Sequence, residues 1–490
     1  MRMCSGVTRH VARGLTAAAL VALVATSASA QALGKGREGA FTKRSVTLKD
    51  QGSFFIGGVN KSTIYAATAT PNTPTGEPGP VNASIVIGQM YVQFQIPEGW
   101  SNKAAKEDGK YPVVMVHGST HTGAALESTP DYKEGWGPYY VRNGLPVFIV
   151  DQAGRGRSGF DESVIHEGKA KLLAGDLTAG AAIPNIGRIT NNGAYTSWFG
   201  HLVQPGTATP CLNILNCELK PHGWRSDDPS LPTVHPNPAG YLPTFPLSGI
   251  GLDPGQTQGG SVGSNTPTGV GPLAPLPTYA DAHFGPAPYG PADAYRLHYY
   301  KQLVPNAEVT LPGSWCESCV PQTIAPTGTW TPYALALLVE KIGSKAGGAV
   351  VATHSQSGIM GHHMVRILRE RGTLKYLKGL ITVEGSCSFP NSGLTAADFD
   401  KIPYMAIKGD YTAISAVCQA SVDAINARRT AGLGQAKSEY IQLDDPKYHG
   451  EFNGVSHMMM DDTNALDVAD VMLEWGSKYI RGEGRRGRDD

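Results

Sequence analysis

Five short, unbroken apolar runs limit the fold most: "YPVVMVHG" (Tyr111 to Gly118), "LPVFIVD" (Leu145 to Asp151), "AVVAT" (Ala349 to Thr353), "LKGLITVEG" (Leu377 to Gly385) and "IPYMAIKGD" (Ile402 to Asp410). Each is too short for a helix and lacks the polar alternation of a strand with one wet face. Such runs read as strands covered on both sides. Helical patterns separate the later ones: Tyr333 to Ile342, a stripe of Met360, Met364, Ile367 and Leu368, and Leu466 to Ile480 with Val468, Val471, Met472 and Trp475 in register. Strand and helix in alternation predict an α/β chain with a mostly parallel sheet. Earlier segments, "SVTLKD" from Ser45, "GSFFIGG" from Gly52 and "QMYVQFQIP" from Gln89, alternate as half-exposed strands do, which suits an antiparallel edge.

From about Phe160 to Ala325 the chain turns to Pro, Gly, Ser and Thr, including "GGSVGSNTPTGVGP". A structureless loop of that length inside one sheet is improbable, so the stretch is an insertion over the carboxyl edge of the sheet. Within it "PADAYRLHYYKQLVP" predicts a helix carrying Tyr295, Leu297, Tyr299 and Leu303. The expected organisation is a leader over 1–30, a first core part over 31–160, a cap-like insertion over 161–325, a second core part over 326–482 and a charged tail over 483–490.

"VVATHSQSGIMGHHM" (Val350 to Met364) places His354 to Ser357 at the junction of a buried strand and a helix. Ligands of open α/β sheets bind at that carboxyl edge. A tight strand-to-helix turn that projects a serine needs small residues two places before and after it. For Ser355 these are Thr353 and Ser357; for Ser357 they are Ser355 and the β-branched Ile359, which would clash. Ser355 is the candidate nucleophile, although neither flank is Gly; the alternative is an ordinary loop capped by Ser357.

A serine hydroxyl needs a histidine to take its proton and a carboxylate to hold that histidine's tautomer. In a strand-turn-helix arrangement of this kind the chain order is Ser, acid, His. His457, in "GVSHMMMDD" just before the last helix, fits; His117, His121, His354, His362 and His363 precede or adjoin the serine. Two carboxylates end strands, Glu384 and Asp410, and the usual position after the later strand favours Asp410. One oxyanion donor is the backbone N–H of Gln356, after the nucleophile; the other comes from the loop after "VMVHG". No HExxH spacing supports zinc, and "DQAGRGRSG" (Asp151 to Gly159) does not match GxGxxG, so no metal or nucleotide cofactor is expected. That segment is read as architectural, with Arg155 or Arg157 pairing locally.

Arg2, Arg9 and Arg13 precede an apolar run from Leu15 to Ala25 and the small-x-small site Ala28-Ser29-Ala30, the pattern of a cleaved secretory signal. The run is too short to span a bilayer, and a secreted or periplasmic location follows. Six of the 7 cysteines lie beyond it, and disulfides are the default in that compartment. Connectivity does not follow from sequence, but pairing the neighbours Cys211 with Cys217 and Cys316 with Cys319 leaves Cys387 with Cys418. "WCESCV" lacks a second CxxC, which favours a bridge over zinc. Formal charge is zero, and losing three leader arginines makes the remainder slightly negative. Nucleic acid and anionic membrane are poor partners for such a chain, and the oligomeric state leaves no signal.

The ordered set "VHGSTHTG", "DQAGRGRSG", "THSQSGIMG", "ITVEGSC", "IKGDY" and "GVSHMMMDD" resembles a bacterial secreted esterase group within the α/β-hydrolase superfamily. The likeness runs over the chain except the leader and the middle of the insertion. It implies an α/β-hydrolase fold, an acid after the sixth strand, hence Glu384 rather than Asp410, and Ser119 as the second oxyanion donor. The expected activity is cleavage of a small-molecule or polymer ester by Ser355, His457 and Glu384. Lactone or amide hydrolysis, acyl transfer, or a catalytically silent exported binding protein are the rivals.

Overall fold

The computed structural model describes residues 45–63, 83–130, 133–189, 194, 198, 202–203, 218–219, 299–312, 330–409, 415–448, 452 and 455–481. Its centre is an eight-stranded sheet built from β1 (Leu48–Thr63), β2 (Ala83–Pro97), β3 (Val113–Val116), β4 (Val147–Asp151), β5 (Ala349–His354), β6 (Leu377–Val383), β7 (Tyr404–Lys408) and β8 (Glu439–Gln442). The strands lie in the order β1-β2-β4-β3-β5-β6-β7-β8. β2 runs antiparallel to β1 and β4, and all other neighbours are parallel.

Alternation of side chains along a strand divides the core in two. Val114, Val116 and Val351 face one cluster, with Ala105 of α1 (Asn102–Asp108), Leu335, Leu338 and Val339 of α4 (Trp330–Ala346), Met364 and Leu368 of α5 (Ser357–Glu370), and Val422 and Ile425 of α6 (Ala416–Thr430). Val113, Met115, Val350 and Ala352 face the other, with Trp136 and Tyr140 of α2 (Trp136–Arg142) and Val468 and Met472 of α7 (Ala465–Gly476). Every residue of β3, β5 and β7 is buried. Helices on both faces explain why these strands carry unbroken apolar runs.

β1 joins the segments from Ser45 and from Gly52, which read as separate strands, because Asp50, Gln51 and Gly52 pair in unbroken register with Ile96, Gln95 and Phe94 of β2; Gly57 and Gly58, at φ 71° and 83°, then carry the strand on through a conformation that L residues resist. α2, α6 and β8 are among the elements without an expectation. α6 buries only Cys418, Ser421, Val422 and Ile425, and β8 buries only Ile441 and Gln442.

Cys387, just past β6, is bonded to Cys418 in the first turn of α6. The leader over 1–30, the tail over 483–490, and the pairs Cys211–Cys217 and Cys316–Cys319 lie outside the described residues. Of the insertion, residues 161–189, 194, 198, 202–203, 218–219 and 299–312 are described, including α3 (Ser163–Leu173), and Tyr299, Tyr300 and Leu303 are buried; Tyr295 and Leu297 fall outside. Among the described residues no helix is long and apolar enough to cross a membrane.

Candidate active site

Three non-glycine residues among those described have positive φ: Thr120 at 55°, Ser355 at 53° and Glu384 at 51°. Each follows the carboxyl end of a parallel strand, β3, β5 and β6. Strain of this kind costs of order 1–3 kcal/mol per residue and persists only where surrounding structure imposes it. At Ser355 the imposing contacts are visible. Its N–H donates to the Val383 carbonyl at 2.8 Å, and its carbonyl accepts from the Gly358 N–H at 3.0 Å. A Cβ on Gly118 would stand 2.8 Å from His354 Nδ1 and 3.0 Å from Ser355 Cβ, and one on Gly358 would stand 2.9 Å from Ser386 N. Glycine is therefore demanded on both sides of the serine turn.

The neighbouring serine has another task. Ser357 is fully buried, and its hydroxyl accepts from the His354 N–H at 2.8 Å while lying 3.0 Å from the Val116 carbonyl. It fastens the turn to β3. Ser355 is instead half-buried, with Oγ 3.0 Å from His457 Nε2.

Glu384 completes a line of polar atoms. Its Oε2 lies 3.0 Å from His457 Nδ1, and its Oε1 accepts from the Gly409 N–H. A carboxylate only accepts, so Nδ1 carries the hydrogen and Nε2 offers its lone pair to the Ser355 hydroxyl. His457 is held by its backbone: its N–H donates to the Trp198 carbonyl at 2.9 Å, and its carbonyl lies 2.9 Å from His354 Nε2. Trp198 also stacks on the imidazole, centroids 6.1 Å apart. Asp410 lies outside the described residues.

The loop ahead of α7 is tied down beside the histidine. Asp462 accepts from the Ser456 N–H and hydroxyl, both at 2.7 Å. Burial pushes its pKa up to about 7, against the pull of those two bonds, and the Glu384 charge adds to the rise.

On the other side of Ser355 lies the loop after β3. Ser119 is buried; its carbonyl is 2.6 Å from His121 Nδ1, and its hydroxyl is 3.2 Å from Asn306 Nδ2. The Thr120 N–H donates to Asn306 Oδ1 at 2.8 Å. Gln356 stands at the N-cap of α5, where backbone N–H groups have no helical partner. His121, whose Nε2 meets the Tyr299 hydroxyl at 2.8 Å, is pushed by burial down to about 3 and is neutral. A cavity of about 250 Å³, bounded by Ser119, Thr120, Arg188, Trp198 and Asn306, adjoins this loop.

The local pairing expected of Arg155 or Arg157 is made by Arg157, with Asp151 at 2.8 Å; Arg155 reaches across the chain to Glu308. Glu308, Asn306 and Asp462 escaped the sequence reading. The first two sit in an insertion whose path no periodicity reveals, and Asp462 had only its place before a helix.

No protein-family model matches the chain. The solved structure of a novel bacterial esterase is 22% identical, with a TM-score of 0.55, over 89% of this chain and 98% of that one. The fold is that of the α/β-hydrolases. A curated protein of Fungal sp., named "Probable secreted lipase phiG", is 38% identical over 69 residues, which is 14% of this chain and 17% of that protein. The chain thus matches less than a fifth of that lipase's length.

Proposed function

We propose that the protein is an exported serine hydrolase that cleaves carboxylic esters through an acyl-enzyme. The observation that carries this reading is the unbroken line from Ser355 Oγ to His457 Nε2 and from His457 Nδ1 to Glu384 Oε2, each step 3.0 Å. His457 takes the Ser355 proton as Oγ bonds to the ester carbonyl carbon. The carbonyl oxygen becomes an oxyanion, which accepts hydrogen bonds from the backbone N–H groups of Ser119 and Gln356. Collapse expels the alcohol, which leaves with the proton returned by His457. Water then repeats the sequence on the acyl-serine, with His457 again as base, and releases the acid. Glu384 keeps the imidazole in the required tautomer and stabilises the imidazolium between transfers. No step calls for a cofactor.

An ester rather than an amide is favoured by the names of the similar proteins, a bacterial esterase and a secreted lipase. The cavity of about 250 Å³ beside Ser119 suits a small acyl or alcohol group. Export is supported by the leader pattern at Arg2 to Ala30 and by the Cys387–Cys418 bond. The test is hydrolysis of p-nitrophenyl acetate by the wild type and by Ser355→Ala: turnover should fall by on the order of 10⁴-fold or more, and undiminished turnover by the folded variant rejects the proposal.

A further inference from the structure

Arg155 is among the largest fully buried side chains of the protein, 1% exposed, and the acyl-transfer chemistry leaves it without a role. Its guanidinium meets three separate parts of the chain. Nε donates to Glu308 Oε2 at 2.8 Å, and Nη2 to Glu308 Oε1. Nη2 also donates to the Gln356 side-chain Oε1 at 2.7 Å, and Nη1 to the Gly118 carbonyl at 2.9 Å. One cation therefore joins the insertion, the serine turn and the loop after β3.

The Gly118 carbonyl and the Ser119 N–H belong to the same peptide unit. In a planar trans peptide these groups point in opposite directions, so anchoring the carbonyl fixes the direction of the N–H. A second donor reinforces the anchor. His117 Nε2 accepts from the Gln152 N–H at 3.0 Å, which leaves the ring hydrogen on Nδ1, 2.8 Å from the same Gly118 carbonyl. Burial, helped by the Arg155 charge, pushes the His117 pKa down to about 4, so this tautomer holds at neutral pH. Hydrogen bonds accepted by a carbonyl polarise its peptide and strengthen the N–H as a donor.

We infer that Arg155, held by Glu308, is a positioning residue that aligns and polarises the two backbone donors of the oxyanion site, through the Gly118 carbonyl on one side and the Gln356 side chain on the other. The inference rests on the proposed ester hydrolysis. It also gives the insertion a part in the chemistry, because Glu308 and Asn306 belong to one segment, and Asn306 holds the Thr120 N–H next to the donor at Ser119. Removing Glu308 strands a buried cation next to both donors.

The test uses the full-length protein, with kcat and KM for p-nitrophenyl acetate counted per titrated active site, and Ki for phenylboronic acid, whose serine adduct is tetrahedral and places an oxygen in the oxyanion site. R155K keeps the charge but lacks the fork that reaches three partners. It should lower kcat on the order of 10²-fold with KM within about threefold, and raise the boronic acid Ki by a comparable factor. E308Q should do the same to a smaller extent, about tenfold, and it decides the matter by the same readouts if R155K does not fold. Folded variants with kcat and Ki within twofold of wild type overturn the inference. S355A is the control. If S355A keeps its turnover, the ester-hydrolase reading itself is wrong; if S355A is silent while R155K is unaffected, only the role of Arg155 is wrong.

Discussion

His457 Nδ1 and Glu384 Oε2 stand 3.0 Å apart, and Glu384 reaches that position from a backbone at φ 51°, at the end of the strand beside the one that leads into Ser355. The two strained residues support each other. The Ser355 N–H binds the Val383 carbonyl, one residue before Glu384, and the Glu384 N–H binds the Ile407 carbonyl of β7 at 2.9 Å. Two adjacent parallel strands thus present serine and carboxylate side by side at one edge.

That geometry supports the proposal of Glu384 as the acid. Glu384→Gln should lower kcat by on the order of 10²- to 10⁴-fold, because an amide no longer enforces the hydrogen on Nδ1. Asp410→Asn should cost less than about tenfold. Steady-state hydrolysis of one chromogenic ester by both variants is the check, and the opposite ranking would move the role to Asp410.

The buried Asp462 gives stability a pH dependence of definite sign. Its folded-state pKa, about 7, lies above the ordinary 3.8. Between those values the folded protein keeps a proton that the unfolded chain has lost, so this contribution is intact below about pH 4 and is lost as pH rises through about 7. Asp462→Asn should flatten that fall and stabilise the protein at pH 8 relative to wild type. Urea unfolding midpoints measured from pH 4 to 8 provide the check; unchanged slopes would contradict it.

Reducing the Cys387–Cys418 bond frees a loop spanning 31 residues that contains β7 and anchors the chain three residues beyond Glu384. Loop-closure entropy gives about 3–4 kcal/mol for this length. A C387A/C418A double variant should lose stability of that order in denaturant titrations, with the remaining folded protein still hydrolysing ester.

How much of this was legible in the sequence depends on where the determining contacts lie. β3, β5, β6 and β7 announced themselves because both of their faces are covered. Ser355 was separable from Ser357 because Ile359 is β-branched, a local steric fact. The choice between Glu384 and Asp410 was not local: both end strands, and the contact that favours Glu384 is with an imidazole 73 residues further on. Arg155 stood in a quoted motif, yet its partner Glu308 is 153 residues away in the insertion, where no hydrophobic period marks the path. α6 and β8 were silent because each buries few apolar side chains, so their places come from the sheet and the disulfide rather than from their own pattern.

The central claim is that the Ser355 hydroxyl becomes a covalent acyl carrier, and trapping it is the most direct measurement. The protein should be treated with a fluorophosphonate, digested and analysed by mass spectrometry, with ester hydrolysis followed in parallel. The account predicts one adduct per chain, on the peptide bearing Ser355, formed in step with loss of hydrolysis and absent from Ser355→Ala. Hydrolysis that continues with Ser355 unmodified in the presence of the reagent, or an adduct confined to another residue, would contradict it.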